Sequence, residues 1–273
     1  MQHISSKLAL EGVTESLVSQ AAKLSDGDLD TVGTDLLGVA DVLRGEAVLR
    51  RTLSEATTST DARVGMVGAL FDGKIHPAAV ALTADAVGRS WAGGADLRDG
   101  IERLGRTALF LGAERTGQLD EVEDQLFRFG RIVEANPQLS VLLDDPTADP
   151  AGRKALVGSL LDGKANTLTA RLLSGLATAT QHRSFSRGIA ELVEQAADRK
   201  NEVVGSVQSA IELDDSQRDR LAAALTKMYG RPVALHVQVD PQLQGGMRVT
   251  VGDEVIDGSV AGRLAALKRK MAG

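Results

Sequence analysis

The sequence predicts a mostly α-helical protein with a small α+β domain at its C-terminal end: two tandem helical bundles, then a β-α-β-β-β-α module. Three observations predict it. Through about the first 200 positions, apolar residues recur three and four apart, as in helices with one buried stripe. A stretch of about ninety residues occurs twice in that region. Beyond it the apolar period becomes two, as in half-buried strands.

The duplication holds without a gap from residues 29–74 to residues 119–164, at an offset of 90. Fourteen of those 46 positions are identical, among them Leu29, Val32, Leu36, Leu53, Arg63, Val67, Asp72, Gly73 and Lys74. The apolar pattern repeats more fully. Leu29, Val32, Leu36, Val39 and Val42 stand against Leu119, Val122, Leu126, Phe129 and Ile132, which predicts one buried helical stripe per copy. The match resumes at an offset of 88, pairing Leu97, Gly100, Ile101 and Leu104 with Phe185, Gly188, Ile189 and Leu192. Units of this length are too long for a solenoid repeat. They predict a duplicated helical domain, with bundles over 1–105 and 106–200 and turn-rich joints at Thr52–Thr60 and Asp144–Pro150.

Each copy carries a G-x-x-x-x-G-K stretch, "GALFDGK" at 68–74 and "GSLLDGK" at 158–164. A phosphate-binding loop needs a strand before it and Ser or Thr after the Lys. Here Ile75 and Ala165 follow, and Val67, Leu70 and Phe71 are spaced for a helix face, as are Val157, Leu160 and Leu161. Gly73 and Gly163 are therefore expected to cap helix C-termini, with Lys74 and Lys164 near the last carbonyls. A nucleotide-binding protein built on these stretches is the alternative.

From residue 201 the elements alternate. "VVGSVQSAI" (203–211) reads as a strand. A helix follows, opened by Asp214 with Gln217, closed by Gly230, and burying Leu221, Leu225 and Met228. In "VALHVQVD", Val233, Leu235, Val237 and Val239 share one face, and His236 lies on the polar one. Gly245-Gly246 reads as a bulge or strand start, "MRVTV" as a strand, Gly252-Asp253 as a turn and "EVI" as the return strand. A last helix starts at Asp257 or Ser259, with Val260, Leu264 and Leu267 as its stripe and Lys268, Arg269 and Lys270 in its last turn. The module spans 201–273.

Composition narrows the function. There is no cysteine, so no disulfide, thiolate chemistry or cysteine–zinc site is expected. Aromatic residues are 3%, too few for base-stacking platforms. Residues 201–273 hold nine basic and nine acidic residues, so the net charge of −6 lies entirely in residues 1–200. That argues against nucleic acid; a helical adaptor whose terminal module binds RNA is the second alternative. The N-terminus lacks a signal-peptide pattern, and no run approaches the ~18 apolar residues of a membrane span. His3, His76, His182 and His236 form no metal-ligand pair, and no cofactor is expected. Asp144/Asp145 and Asp214/Asp215 read as caps and turns.

"VDPQLQGGMRVTVGDEVIDGSVAGRLAAL" (239–267) resembles the C-terminal signature of the ATP synthase delta subunit family, the bacterial counterpart of the oligomycin-sensitivity-conferring protein. The residues that carry it are Val239, Asp240 and Pro241; Gly245 and Gly246; Val251, Gly252 and Asp253; and Ile256, Asp257, Gly258 and Ser259. "TALFLGAERTGQLDEVEDQLFRFGRIVEANPQLSVLLDDP" (107–146) is similar to the family's first helices, with an N-P-x-L element at Asn136, Pro137 and Leu139. Residues 106–273 span a whole conventional subunit, which leaves 1–105 as the extra copy of an extended, actinobacterial-type form.

The resemblance implies a non-catalytic stator subunit, present once per complex. Its partners would be alpha subunits of the catalytic head and b-type stalk subunits. Its place would be the cytoplasmic face of the cell membrane, reached only through the b subunits, with no nucleic acid partner. Partner helices are expected in a groove walled by Leu168, Leu172, Leu173 and Leu176, with Leu109 and Phe110 on the first helix of the second copy. The alternative for each is the bundle's own core. The first copy lacks the family's opening motif.

Overall fold

A computed structural model describes residues 3–145, 147–179, 184–200, 203–229, 233–241, 243, 245–251, 254–260 and 262. The chain forms two compact units, Met1–Asp120 and Glu121–Gly273.

The first unit holds α1 (Ile4–Ala21), α2 (Asp26–Gly45), α3 (Ala47–Ser54), α4 (Thr60–Phe71), α5 (Pro77–Gly88) and α6 (Gly94–Arg115). Local chemistry starts these helices. Ser25 and Asp28 exchange the reciprocal bonds of a capping box at α2. Ser59 caps α4, and His76 caps α5 ahead of Pro77. On α2 the residues Leu29, Val32, Leu36, Val39 and Leu43 are buried. The stripe departs from expectation at its end, for Val42 is 41% exposed. Closing the stripe at Leu43 keeps its mean spacing near the helical 3.6, whereas Val42 is turned outward. The second copy makes the same change, with Ile132 exposed and Val133 buried.

Helix α6 runs unbroken across residues 105 and 106, where the two bundles were expected to part. It packs along α2 at close range. A Cβ on Gly33 would lie 2.9 Å from the Gly105 carbonyl oxygen, and one on Gly105 would lie 2.9 Å from the Gly33 carbonyl oxygen. The two backbones meet because neither residue has a side chain. Trp91 lies over Gly100 in the same way, and its indole N–H donates to the Ala86 carbonyl at 2.7 Å.

The second unit holds α7 (Leu119–Ala135), α8 (Pro137–Asp144), α9 (Pro150–Leu161), α10 (Thr167–Ala179) and α11 (Phe185–Arg199). The α/β module follows: β1 (Val203–Ser209), α12 (Asp215–Tyr229), β2 (Val233–Val239), β3 (Met247–Val251) and β4 (Glu254–Asp257). The sheet order is β2-β1-β3-β4. β1 is parallel to β2, with Val207 beside Val237, and antiparallel to β3, with Val207 beside Val249. The parallel pair needs a crossover, which α12 supplies. Val207, Leu213, Leu225, Val233, Val249 and Val251 form the module's own core, with Leu221 and Tyr229 packed against it.

Three expectations for the module need correction. Met228 is 57% exposed, because the α12 stripe runs through Leu221, Leu225 and Tyr229 at steps of four and turns Met228 away. Val239 is 44% exposed, at the end of an edge strand beyond the packed core. Val260, assigned to the stripe of the last helix, is 41% exposed. Leu264, Leu267 and the Lys268–Arg269–Lys270 run fall outside the described residues, as do His182, Gly230, Gly252 and Asp253.

The repeated G-x-x-x-x-G-K stretches end helices α4 and α9. Gly73 has φ 71° and Gly163 has φ 64°, the left-handed conformation of a helix stop. Lys74 Nζ donates to the Leu70 carbonyl at 2.8 Å in an exposed setting. Lys74→Ala is therefore expected to lower stability by only ~0.5 kcal/mol, read from denaturant unfolding. A loss several times larger would contradict a helix-end role.

Candidate functional site

The residues expected to wall the partner groove fall on two helices, one in each unit. Leu168, Leu172, Leu173 and Leu176 lie along α10 and are buried, Leu173 completely. Leu176 packs on α11, where it fills the space a Cβ on Gly188 would take. Leu109 and Phe110 lie on α6, within the first unit, and are also buried. Leu109 occupies the space above Gly33 of α2. These side chains serve bundle packing in the chain as it stands. The exposed apolar side chains of α7 and α8 are others: Ile132 at 50%, Val141 at 70% and Leu142 at 56%.

The described glycines and polar residues of the C-terminal signature bring the chain before β3 against the chain after β4. Gly245 has φ 130° and Gly246 φ 80°, conformations that glycine adopts without strain. A Cβ on Gly246 would lie 2.5 Å from the Gly258 carbonyl oxygen, so this glycine lets the chain before β3 pass against the chain after β4. Gly258 N–H donates to Met247 O at 2.9 Å, and Val260 N–H to Gly245 O at 3.0 Å. Asp257 Oδ1 accepts from the Ser259 amide at 2.9 Å, and Ser259 Oγ accepts from the Gly262 amide at 3.0 Å. The Ser259 hydroxyl and amide, joined by Arg248, hold the Asp257 carboxyl below its ordinary range. These residues thus clamp the entry of β3 against the exit of β4. Two of its members, Gly252 and Asp253, lie outside the described residues.

A third cluster has no counterpart among the expected site residues. Glu123, on the flank of the α7 stripe, is 3% exposed. Lys200, just past α11, approaches it at 2.9 Å, and His236 Nε2 on β2 lies 3.3 Å from its other oxygen. The Phe127 ring, one turn along α7, stacks on the His236 ring at 4.0 Å with planes 19° apart. His236 does lie opposite the Val233 face of β2, but that face meets protein rather than water. A carboxylate on the flank of an apolar stripe was the visible signal; its partners are 77 and 113 residues away.

Burial pushes the Glu123 carboxyl up, but the hydrogen bonds and charge of His236 and Lys200 outweigh it and leave it below its ordinary value of 4.5. A carboxyl lowered on folding stabilises the fold above its unfolded pKa, and that contribution vanishes as pH falls through the folded value. The stability difference between the native chain and Glu123→Gln is therefore expected to shrink as pH falls below about 4.5. Denaturant unfolding over a pH series measures it; a difference that grew in acid would contradict the assignment.

Among the described residues no group of His and carboxylate side chains is arranged to hold a metal ion, and no helix is long and apolar enough to cross a membrane. Comparison with known proteins gives a consistent family. The model of the "ATP synthase delta (OSCP) subunit" family matches residues 106–271. The chain is 40% identical to ATP synthase subunit delta of Streptomyces avermitilis, over 97% of this chain and 100% of that one. It is 39% identical to the subunit of Kineococcus radiotolerans (96% and 98% covered) and 38% identical to that of Rhodococcus opacus (95% and 93%). A chain of the Toxoplasma gondii mitochondrial ATP synthase hexamer is similar at 20% identity and a TM-score of 0.37, over 62% of this chain and 95% of that one. The relatives match along both the duplicated and the conventional part, and on that ground the chain belongs to the ATP synthase delta (OSCP) subunit family.

Proposed function

We propose that this chain is the peripheral-stalk subunit that joins the catalytic head of an F-type ATP synthase to its b-type stalk subunits. The head is then held still while the rotor turns. The observation that carries the reading is 38–40% identity to subunits delta across 93–100% of their length. The chain is a structural, non-catalytic part of the complex in this reading, at the cytoplasmic face of the membrane, one copy per complex. Its helical bundles take N-terminal helices of alpha subunits, and its α/β module takes the end of the b stalk.

Recognition of this kind lays the apolar face of an amphipathic helix between two bundle helices. We keep α10 as the wall of that groove in the second unit, with Leu168, the most exposed of its leucines at 9%, at the edge. The domain division follows the same reading: an added bundle near the N-terminus, the conventional bundle and the terminal module.

The test is calorimetric titration of the whole chain with a synthetic N-terminal alpha-subunit peptide. Cutting the chain at residue 106 would sever α6, so the copies are distinguished by substitution instead. Two peptides per chain, one of them weakened about tenfold by Leu168→Ala, is the expected result. One peptide per chain keeps the stator role and gives the added bundle another partner. No binding by a folded chain would overturn the reading.

A further inference from the structure

The geometry points to an orienting latch in the second unit: Glu123 grips Lys200 and His236, and so fixes the angle at which the sheet stands on the helical layer. The inference stands on contacts within that unit and does not need the stalk reading.

The sheet needs such a device. Its core consists of Val207, Leu213, Leu225, Val233, Val249 and Val251, all from the module itself. Among the described residues this core draws nothing from α7, which meets the sheet through Glu123 and Phe127 at His236. Hydrophobic contact is also non-directional, so it sets direction poorly. Hydrogen bonds between charged groups fix distance and angle together.

The cluster meets both demands. Its three members come from α7, from the end of α11 and from β2, so one carboxylate on α7 holds the sheet through His236 and, through Lys200, the end of α11 from which the chain enters β1. The side chains are 3%, 21% and 11% exposed for Glu123, Lys200 and His236, so water competes little for these bonds. Phe127 lies flat on the imidazole one helical turn away, which blocks rotation of the ring and sliding of β2 along α7. The neighbouring Asp124 turns outward and pairs with Arg128 on the exposed face, so it does not compete for the latch. A buried ion pair adds little net stability over apolar groups of the same size. Its directional bonds instead specify one arrangement.

The absence of cysteine makes the test direct. Spin labels on Ser159→Cys of α9 and Ser216→Cys of α12, both exposed, report the distance between the helical layer and the module in the full chain. The parent should give one narrow distance distribution. The double variant Glu123→Leu/Lys200→Met, which removes both charges together, should at least double its width while circular dichroism and the unfolding midpoint stay near those of the parent. Lys200→Gln, at the exposed edge of the cluster, should broaden it in the same direction and guards against a misfolded double variant. Arg128→Ala on the outer face of α7 should leave the width unchanged. A distribution as narrow in the Lys200→Gln chain as in the parent would overturn the latch, as would a folded double variant with unchanged width.

Discussion

Gly105→Val is expected to cost the first unit about 3 kcal/mol and to lower its unfolding midpoint by about 10 °C. The reason is the close crossing of α2 and α6. A Cβ at residue 105 would meet the Gly33 carbonyl oxygen at 2.9 Å and the Leu37 amide nitrogen and Leu36 Cβ at 3.1 Å. Two of these three neighbours are helix backbone, which cannot turn aside as the end of a flexible side chain can. The helices must separate instead. Leu36, Leu104 and Ala108, all fully buried, then lose contact together. Gly38→Ala on the exposed side of α2, the partner helix of this crossing, is the control. Nothing lies within 4 Å of its added Cβ, so it should stabilise by about 0.5–1 kcal/mol. Thermal unfolding followed by circular dichroism measures both. Equal midpoints for Gly105→Val and the native chain would show that the two backbones do not meet there.

Arg153→Met is expected to destabilise the second unit by about 2–3 kcal/mol. Arg153 is 3% exposed and lies on α9. Its Nε donates to the Ala177 carbonyl in the last turn of α10 at 2.9 Å, and its Nη1 donates to the Asp145 carbonyl at the end of α8. Carbonyls at helix ends have no partner within their own helix, and the helix dipole makes those ends negative. One guanidinium thus closes two helix ends at once. Methionine keeps the apolar stem but leaves both carbonyls without their donor. The matching residue of the first unit is Arg63, 7% exposed, whose described bond reaches only the Thr60 hydroxyl at 3.2 Å. Arg63→Met should therefore cost less than half as much. Denaturant unfolding of the two variants decides it, and equal losses would contradict the assigned role of Arg153.

A repeat in sequence conveys position but not contact. The match of Arg63 with Arg153 is visible at the fixed offset, and so are Gly73 and Gly163, which take the same left-handed stop in both copies. What each arginine touches is not visible, because Ala177 lies 24 residues from Arg153. The groove candidates show the same limit. Apolar spacing places Leu168, Leu172, Leu173 and Leu176 on one side of a helix, and they are indeed buried. A periodic pattern marks a face that avoids water; whether that face meets its own bundle or a foreign helix is not written in the period. Val42, Ile132 and Met228 stand at the margin of such stripes, where over so few residues a step of three and a step of four read alike.

The fold class, the order of the described elements of the C-terminal module, the helix-end role of the glycine–lysine stretches and the family were legible in the amino-acid order. Each rests on local rules: period, capping and turn chemistry, repeated at fixed spacing. Folding in three dimensions added the continuation of α6 through the expected boundary, because its glycines allow α2 to approach along its length. It also covered His236 and brought Glu123, Lys200 and His236 into one site. Those three residues meet through the path of the chain between α7 and β2, and a charge buried at that distance in sequence leaves no periodic trace.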